Sequence, residues 1–224
     1  MITASTRLVA LLGHPVDHSL SPLIQNAAFA ALALDWAYVA LDVPSERLEQ
    51  ALHGLAAAGF AGANVTAPHK LAVAKLVDTD APSVNTLVFR AGHIEGTSTD
   101  AAILDGLVTE HPVVLGDGGA AQAFLQALPH ARSFARRREW PPDVGGADIV
   151  VNATSVRNEV LVQLHAGQTL VDLPYPDSAT ARAARDSGAV VVDGLDVLVA
   201  QGAASFELWT GLPAPVDVMR AALP

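Results

Sequence analysis

The sequence predicts an α/β chain of two linked units, each built on a mainly parallel sheet. Three observations predict it. Short β-type runs alternate with Ala- and Leu-rich stretches of helical period. A glycine-rich turn, Gly116-Asp117-Gly118-Gly119, joins a strand pattern to a helix pattern. The 224 residues suffice for one large domain or two small ones, each with its own core.

Leu8 to Gly13 reads as a strand that enters a loop at His14 and Pro15. Ser21 is placed to cap a helix with Pro22 at its first position, and Leu23, Ala27, Ala30 and Leu34 form its expected apolar face. Trp36 to Val43 is a second strand. Ser45 is expected to cap a helix ending at Gly59, with Glu46 and Glu49 in its first turn. Phe60 to Ala67 is a third strand, stopped by Pro68, and a short helix follows through Leu71 to Val77. Thr86 to Ile94 reads as a hairpin around Ala91-Gly92. Thr99 or Asp100 is expected to open a helix running to about Thr109 that bridges the two units.

The second unit begins near His111. Pro112 to Leu115 is a strand, Ala120 to Leu128 a helix, and Arg132 to Arg136 and Asp148 to Asn152 further strands. Between Arg138 and Asp148 lie two prolines and two glycines, which forbid a regular helix where a parallel crossover normally has one. This unit therefore reads as abbreviated. Thr169 to Leu173 and Ala189 to Val192 complete the sheet, and helices from Asp196 to Trp209 and Val216 to Leu223 close the chain.

Composition narrows the function. Apolar residues make up 51% and charged residues 16%, which excludes disorder as the main state. No stretch approaches the ~20 apolar residues of a membrane helix, so no membrane association is expected. Met1 to Arg7 shows no basic start followed by an apolar block, so no secretory signal is expected. With no Cys there is no disulfide, Cys-ligated zinc or Cys nucleophile, and a reducing cytoplasm is the expected setting. The eight His have no paired ligand spacing, so no metal is expected. A net charge of −10 disfavours nucleic acid as a partner.

Four segments could carry chemistry. The glycine turn suits backbone N–H groups approaching a pyrophosphate at a helix N-terminus, or is simply a tight strand–helix turn. Arg136-Arg137-Arg138 ends the next strand, where a doubly wound fold tests the ribose, and Arg there suits a 2′-phosphate. Asp117 opposes the phosphate reading unless it points away. Ser19-Leu20-Ser21-Pro22 holds two hydroxyls at a helix start, of which capping needs one. Asn64 and Thr66 share one strand face beside Lys70, which suits a polyol or carboxylate, or else a solvated sheet edge. Asp100 sits at an expected helix start, where a carboxylate can act as a cap. The chain has 13 Lys and Arg, of which only Lys70 and Lys75 are Lys, so a retained amine is notable.

Taken in order, these segments resemble shikimate dehydrogenases, NADP-dependent oxidoreductases of aromatic amino-acid (chorismate) biosynthesis. The resemblance runs nearly end to end. Its most specific pieces are His18-Ser19-Leu20-Ser21-Pro22, Asn64-Val65-Thr66-Ala67-Pro68-His69-Lys70 and Val84-Asn85-Thr86. It implies an N-terminal αβα substrate domain over 1–100 and an abbreviated Rossmann-like NADP-binding domain over 101–194. Helices over 195–224 would return to the first domain. It also implies that Ser19 and Ser21 bind a carboxylate, that Asn64, Thr66, Asn85 and Gln201 bind ring hydroxyls, and that Tyr175 closes the pocket. Lys70 and Asp100 would be the catalytic pair. Gly116, Gly118, Gly119 and Ala120 would hold the pyrophosphate, Arg136 and Arg137 the 2′-phosphate, and Leu173 and Gly194 would flank the nicotinamide.

The chemistry agrees with that division. Hydride transfer belongs to the cofactor, and the protein supplies alignment and a proton carrier. Desolvation favours the neutral amine of a Lys, while a neighbouring carboxylate favours the charged amine and orients it. The chain departs from the family in several places. Ser98-Thr99-Asp100 stands where Asn-Thr-Asp is usual, Gln25-Asn26 where His-Asn is usual, and Ala135 precedes Arg136 in place of Asn. Asp117 stands in the glycine turn, and Val156-Arg157 replaces an expected Gly. These departures keep three alternatives open: a quinate- or aminoshikimate-type relative, an NAD-using relative, or a non-catalytic shikimate-binding paralogue. Either a monomer or a homodimer is expected.

Overall fold

A computed structural model describes residues 2–90 and 93–224. It divides into two compact units, Met1–Thr99 with Val199–Pro224, and Asp100–Leu198. Each has its own five-stranded sheet.

In the first unit, β1 (Arg7–Gly13), β2 (Trp36–Asp42), β3 (Gly62–Val65), β4 (Thr86–Arg90) and β5 (His93–Thr97) stand in the order β2-β1-β3-β4-β5. β1 pairs parallel with β2 and β3, and the β3–β4 and β4–β5 pairs are antiparallel. The expected turn at Ala91-Gly92 lies outside the described residues, and the strands flanking it pair from Thr86↔Thr97 to Arg90↔His93. Three helices are interleaved: α1 (Ser21–Ala31), α2 (Leu48–Ala57) and the single turn α3 (Lys70–Val73).

The second unit holds β6 (Pro112–Leu115), β7 (Arg132–Phe134), β8 (Ile149–Asn152), β9 (Thr169–Asp172) and β10 (Val190–Val192), all parallel, in the order β10-β9-β8-β6-β7. β6 and β8 are buried at every position, as expected of a parallel sheet covered on both faces. Its helices are α4 (Gly119–Ala127) and α5 (Ala179–Asp186). Residues 135–148 carry no helix, as the prolines and glycines there predicted.

The last two helices are α6 (Gly194–Thr210) and α7 (Val216–Ala221), of which the residues from Val199 onward belong to the first unit. Phe206 stacks on Phe29 of α1 at 5.4 Å, both fully buried. Each such ring contributes about 2–3 kcal/mol of burial. The Trp209 indole Nε1 donates to the Leu87 carbonyl at 2.9 Å, which ties α6 to β4. Among the described residues no helix is long and apolar enough to cross a membrane.

Several sequence expectations are corrected. The helix expected over 99–109 is only a 3-10 turn, Ala102–Leu104. Residues 105–108 are exposed, with Leu107 at 48% and Val108 at 95%, so a helix there would have no apolar face to bury. Ser21 does not cap α1. It is the first helical residue, and Ser19 Oγ accepts its backbone N–H at 3.3 Å. The buried face of α1 is Ser21, Ile24, Gln25, Ala28 and Phe29, not the face through Leu23 and Ala30, which are exposed. Ser45 opens a 3-10 turn, Ser45–Arg47, without a side-chain cap. α5 was not expected. Ser178 caps it, its Oγ accepting from Ala181 N at 3.0 Å.

Candidate functional site

The first unit brings three of the expected residues, Asn64, Asn85 and Gln201, into one buried polar cluster. β3 lies between β1 and β4 and all four of its residues are buried, so Asn64 is not on a solvated sheet edge. Its Oδ1 accepts from the Tyr38 hydroxyl at 2.9 Å. Its Nδ2 donates to Asn85 O at 3.0 Å, Thr86 Oγ1 at 3.1 Å and Ser205 Oγ at 3.0 Å. Both polar atoms of Asn64 are thus occupied within the protein. Asn85 follows directly. Its Oδ1 accepts the Thr99 N–H at 2.7 Å, and its Nδ2 donates to Thr99 Oγ1 at 3.0 Å and to Gln201 Oε1 at 3.4 Å.

Four further members complete this cluster: Thr86 and Thr99, which stand in quoted segments but carried no assigned role in the site, and Tyr38 and Ser205, which sequence reading missed. Ser205 sits one helical turn after Gln201, and its hydroxyl bonds the Gln201 carbonyl at 2.9 Å, Thr86 Oγ1 at 2.9 Å and Thr99 Oγ1 at 3.1 Å. The i, i+4 spacing to Gln201 was the available signal. Each buried polar atom left unpaired would cost about 1–3 kcal/mol, so the cluster fixes the rotamer of every member.

The remaining residues of this unit lie at the C-terminal ends of the parallel strands or directly beyond them. Thr66 falls just past β3 and is half-buried. Among the described residues its hydroxyl has no partner, nor has that of Ser21 at the start of α1. Lys70 is half-buried at the first position of α3. Its carbonyl accepts the Val84 N–H at 3.1 Å, so the residue preceding Asn85 is bonded directly to the Lys70 backbone. His69, fully buried, donates through Nε2 to the Val43 carbonyl at 2.7 Å and holds the same turn from the other side. Gln25 Nε2 donates to the Gly202 carbonyl at 2.8 Å, beside Gln201.

Asp100 opens the second unit. It is buried, at 6% exposure, and the helix it was expected to open is replaced by the 3-10 turn Ala102–Leu104, whose N-cap is Ala101. The glycine turn behaves as two distinct positions. Gly116 has φ +119°, and a Cβ there would lie 3.1 Å from the Ala153 carbonyl oxygen, so the turn itself requires Gly. Gly118 precedes α4 in an extended conformation, and a Cβ there would meet nothing within 4 Å. Gly119 and Ala120 then form the first turn of α4, which carries no acidic residue, and Asp117 is exposed outside it. An open backbone approach to the N-terminus of a helix of this length fits a pyrophosphate.

Gly194 comes against the end of β9. A Cβ on it would lie 2.6 Å from the carbonyl oxygens of both Leu173 and Pro174. Tyr175 is half-buried two residues beyond Leu173, and its carbonyl accepts from Arg157 Nη1 at 3.2 Å. Under this loop Asn152 Nδ2 donates to Asp172 Oδ1 at 2.7 Å, across paired positions of β8 and β9. Burial pushes the Asp172 carboxyl above the usual carboxylate range despite that bond. Arg136 and Arg137 follow β7 and are exposed, and Arg136 is ion-paired with Glu159. Among the described residues no group of three or more His, Asp or Glu could hold a metal ion.

Comparison with known proteins gives the family. Residues 11–87 match the model described as the shikimate dehydrogenase substrate binding domain, and residues 194–223 match the shikimate 5′-dehydrogenase C-terminal domain. A relative from Anaeromyxobacter dehalogenans (strain 2CP-C), named shikimate dehydrogenase (NADP(+)), is 41% identical over 270 aligned positions, covering 99% of this chain and 97% of the relative. The alignment exceeds the 224 residues present, so the relative carries segments this chain lacks. The structure of shikimate dehydrogenase from Aquifex aeolicus superposes with a TM-score of 0.90 at 30% identity, covering 99% of each chain. That of shikimate 5-dehydrogenase from Thermus thermophilus, in complex with NADP(H) and shikimate, superposes with a TM-score of 0.86 at 31% identity, covering 97% of this chain and 98% of that one. Sequence, family models and fold agree, and the chain belongs to the shikimate dehydrogenase family.

Proposed function

We propose that the chain is an NADP-dependent oxidoreductase that interconverts shikimate and 3-dehydroshikimate in aromatic amino-acid biosynthesis. One observation carries this reading furthest. The Lys70 backbone is bonded to Val84, and Asn85, the next residue, is locked by the buried cluster. The backbone that carries the Lys70 amine is thereby joined to the segment that carries the Asn85 amide, and Thr66, whose hydroxyl has no partner among the described residues, stands four positions before Lys70.

In this reading the first unit recognises the substrate. Ser19 and Ser21 hold the carboxylate, and Thr66, Asn85 and Gln201 take the ring hydroxyls. Asn64, with its atoms already occupied, acts by fixing Asn85. Tyr175 covers the pocket. Lys70 receives the proton of the hydroxyl being oxidised and returns it in the reverse direction, and Asp100 orients the amine. An Arg at position 70 could not exchange that proton usefully. The second unit is assigned the dinucleotide. Gly116, Gly118, Gly119 and Ala120 lie at the pyrophosphate, Arg136 and Arg137 at the 2′-phosphate, and Leu173 and Gly194 beside the nicotinamide. NADP, when bound, supplies the hydride acceptor. The domain limits 1–100, 101–194 and 195–224, a cytoplasmic location and a monomeric or homodimeric state belong to the same proposal.

The test is a matrix of kcat/KM values, with shikimate, quinate and an aminoshikimate each measured with NADP and with NAD. The proposal expects the highest value for shikimate with NADP. A higher value in any other cell would transfer the assignment to that pair, and no turnover in any cell would leave only a binding protein.

A further inference from the structure

We propose that Glu159 is the built-in counter-ion of Arg136 and limits how strongly the protein prefers NADP over NAD. The inference rests on the reading of Arg136 as a ligand of the 2′-phosphate.

Three features place these groups. Arg136 Nη2 donates directly to Glu159 Oε2, and the guanidinium also lies 5.4 Å from the centre of the Trp140 ring. The turn that carries Arg136 is closed by Arg138 N and Glu139 N, which donate to the Ala135 carbonyl at 2.8 and 3.1 Å. Glu159 is anchored through its backbone. Its carbonyl accepts from the Thr180 hydroxyl at 3.2 Å, the Leu161 N–H donates to that same hydroxyl at 3.0 Å, and Thr180 is fully buried. The Arg157 carbonyl accepts Ala179 N at 2.7 Å, so the 157–161 segment is stapled to the start of α5. The carboxylate is thus held beside the arginine by a built backbone. Arg137 and Arg138, among the described residues, form no ion pair.

A phosphate monoester that approaches Arg136 meets a cation already satisfied by a carboxylate. It must displace Glu159 or share the guanidinium against like-charge repulsion. A free ribose 2′-hydroxyl meets neither penalty and can donate to a carboxylate, as acidic residues do in NAD-binding folds. Glu159 therefore weakens the phosphorylated cofactor selectively. The two side chains are 52% and 53% exposed, so solvent screens the effect.

The experiment measures Kd for NADPH and NADH by nicotinamide fluorescence on the full chain, for wild type, Glu159→Gln and Glu159→Ala, each with and without Arg136→Ala. Both Glu159 variants keep the backbone anchor to Thr180, and thermal unfolding checks that they fold as wild type does. The expected result is NADPH binding about fivefold tighter in both, NADH binding unchanged or weaker, and the gain abolished by Arg136→Ala. NADPH binding that is unchanged or weaker, or an equal gain for NADH, overturns the role of Glu159. Arg136→Ala alone, if it binds NADPH as tightly as wild type, overturns instead the reading of Arg136 as a phosphate ligand, and the inference falls with it.

Discussion

The backbone N–H of Thr99 donates to Asn85 Oδ1 at 2.7 Å within the buried polar cluster of the first unit. It fixes the amide of Asn85 so that Nδ2 faces Thr99 Oγ1 and Gln201 Oε1. It also anchors the chain at the residue before Asp100. Asn85→Ala would leave the Thr99 N–H buried without an acceptor. The variant should lose about 1–3 kcal/mol of stability, read as a lowered midpoint in urea unfolding. Its KM for shikimate should rise by a larger factor than kcat falls. An unchanged midpoint would mean that the cluster is not coupled as the distances indicate.

Gly194 has no room for a side chain. A Cβ would lie 2.6 Å from two backbone carbonyl oxygens, which cannot swing away as a side chain can. Gly194→Ala should destabilise by about 1–3 kcal/mol and weaken NADPH binding while shikimate binding is retained. Thermal unfolding and two ligand titrations distinguish this from general damage, in which both affinities would fall together.

Asp148 gives a pH-dependent prediction. Burial alone would raise its carboxyl, but the Thr109 hydroxyl and the N–H groups of Glu110, His111 and Ile149 outweigh it and lower the pKa from 3.8 to about 2. A carboxylate depressed on folding contributes stability that is complete above the ordinary value and is lost as pH falls through the folded value. Asp148→Asn should therefore cost about 2 kcal/mol at neutral pH. The gap from wild type should narrow between roughly pH 4 and pH 2. Urea midpoints across that range check it, and a gap independent of pH would contradict it.

Much of this architecture was legible because strand runs, glycine turns and proline breaks report local geometry. The abbreviated connection over 135–148 was readable from its prolines and glycines alone. Burial was less readable. On α1 the polar Gln25 faces inward, where its amide donates to the Gly202 carbonyl of α6, while the apolar Leu23 faces out. α5 escaped notice because its eight residues include two Arg and an Asp, so its helical signal lay in the Ser178 cap.

The site divides the same way. Lys70, Asn64 and Asn85 stand in contiguous motifs and could be read in order. Tyr38 and Ser205 could not, since it is the pairing of β1 with both β2 and β3, and the path of α6, that bring residues 38 and 205 to Asn64. Glu159 is 23 positions from Arg136 and belongs to no motif quoted from the sequence.

The central claim is that the Lys70 amine carries the proton of the oxidised hydroxyl. Lys70→Ala tests it most directly, with kcat and the shikimate Kd measured on the same preparation. The account predicts a fall in kcat of about 10²- to 10⁴-fold with the shikimate Kd changed little. A variant that turned over at the wild-type rate, or that lost shikimate binding and activity in equal measure, would contradict it.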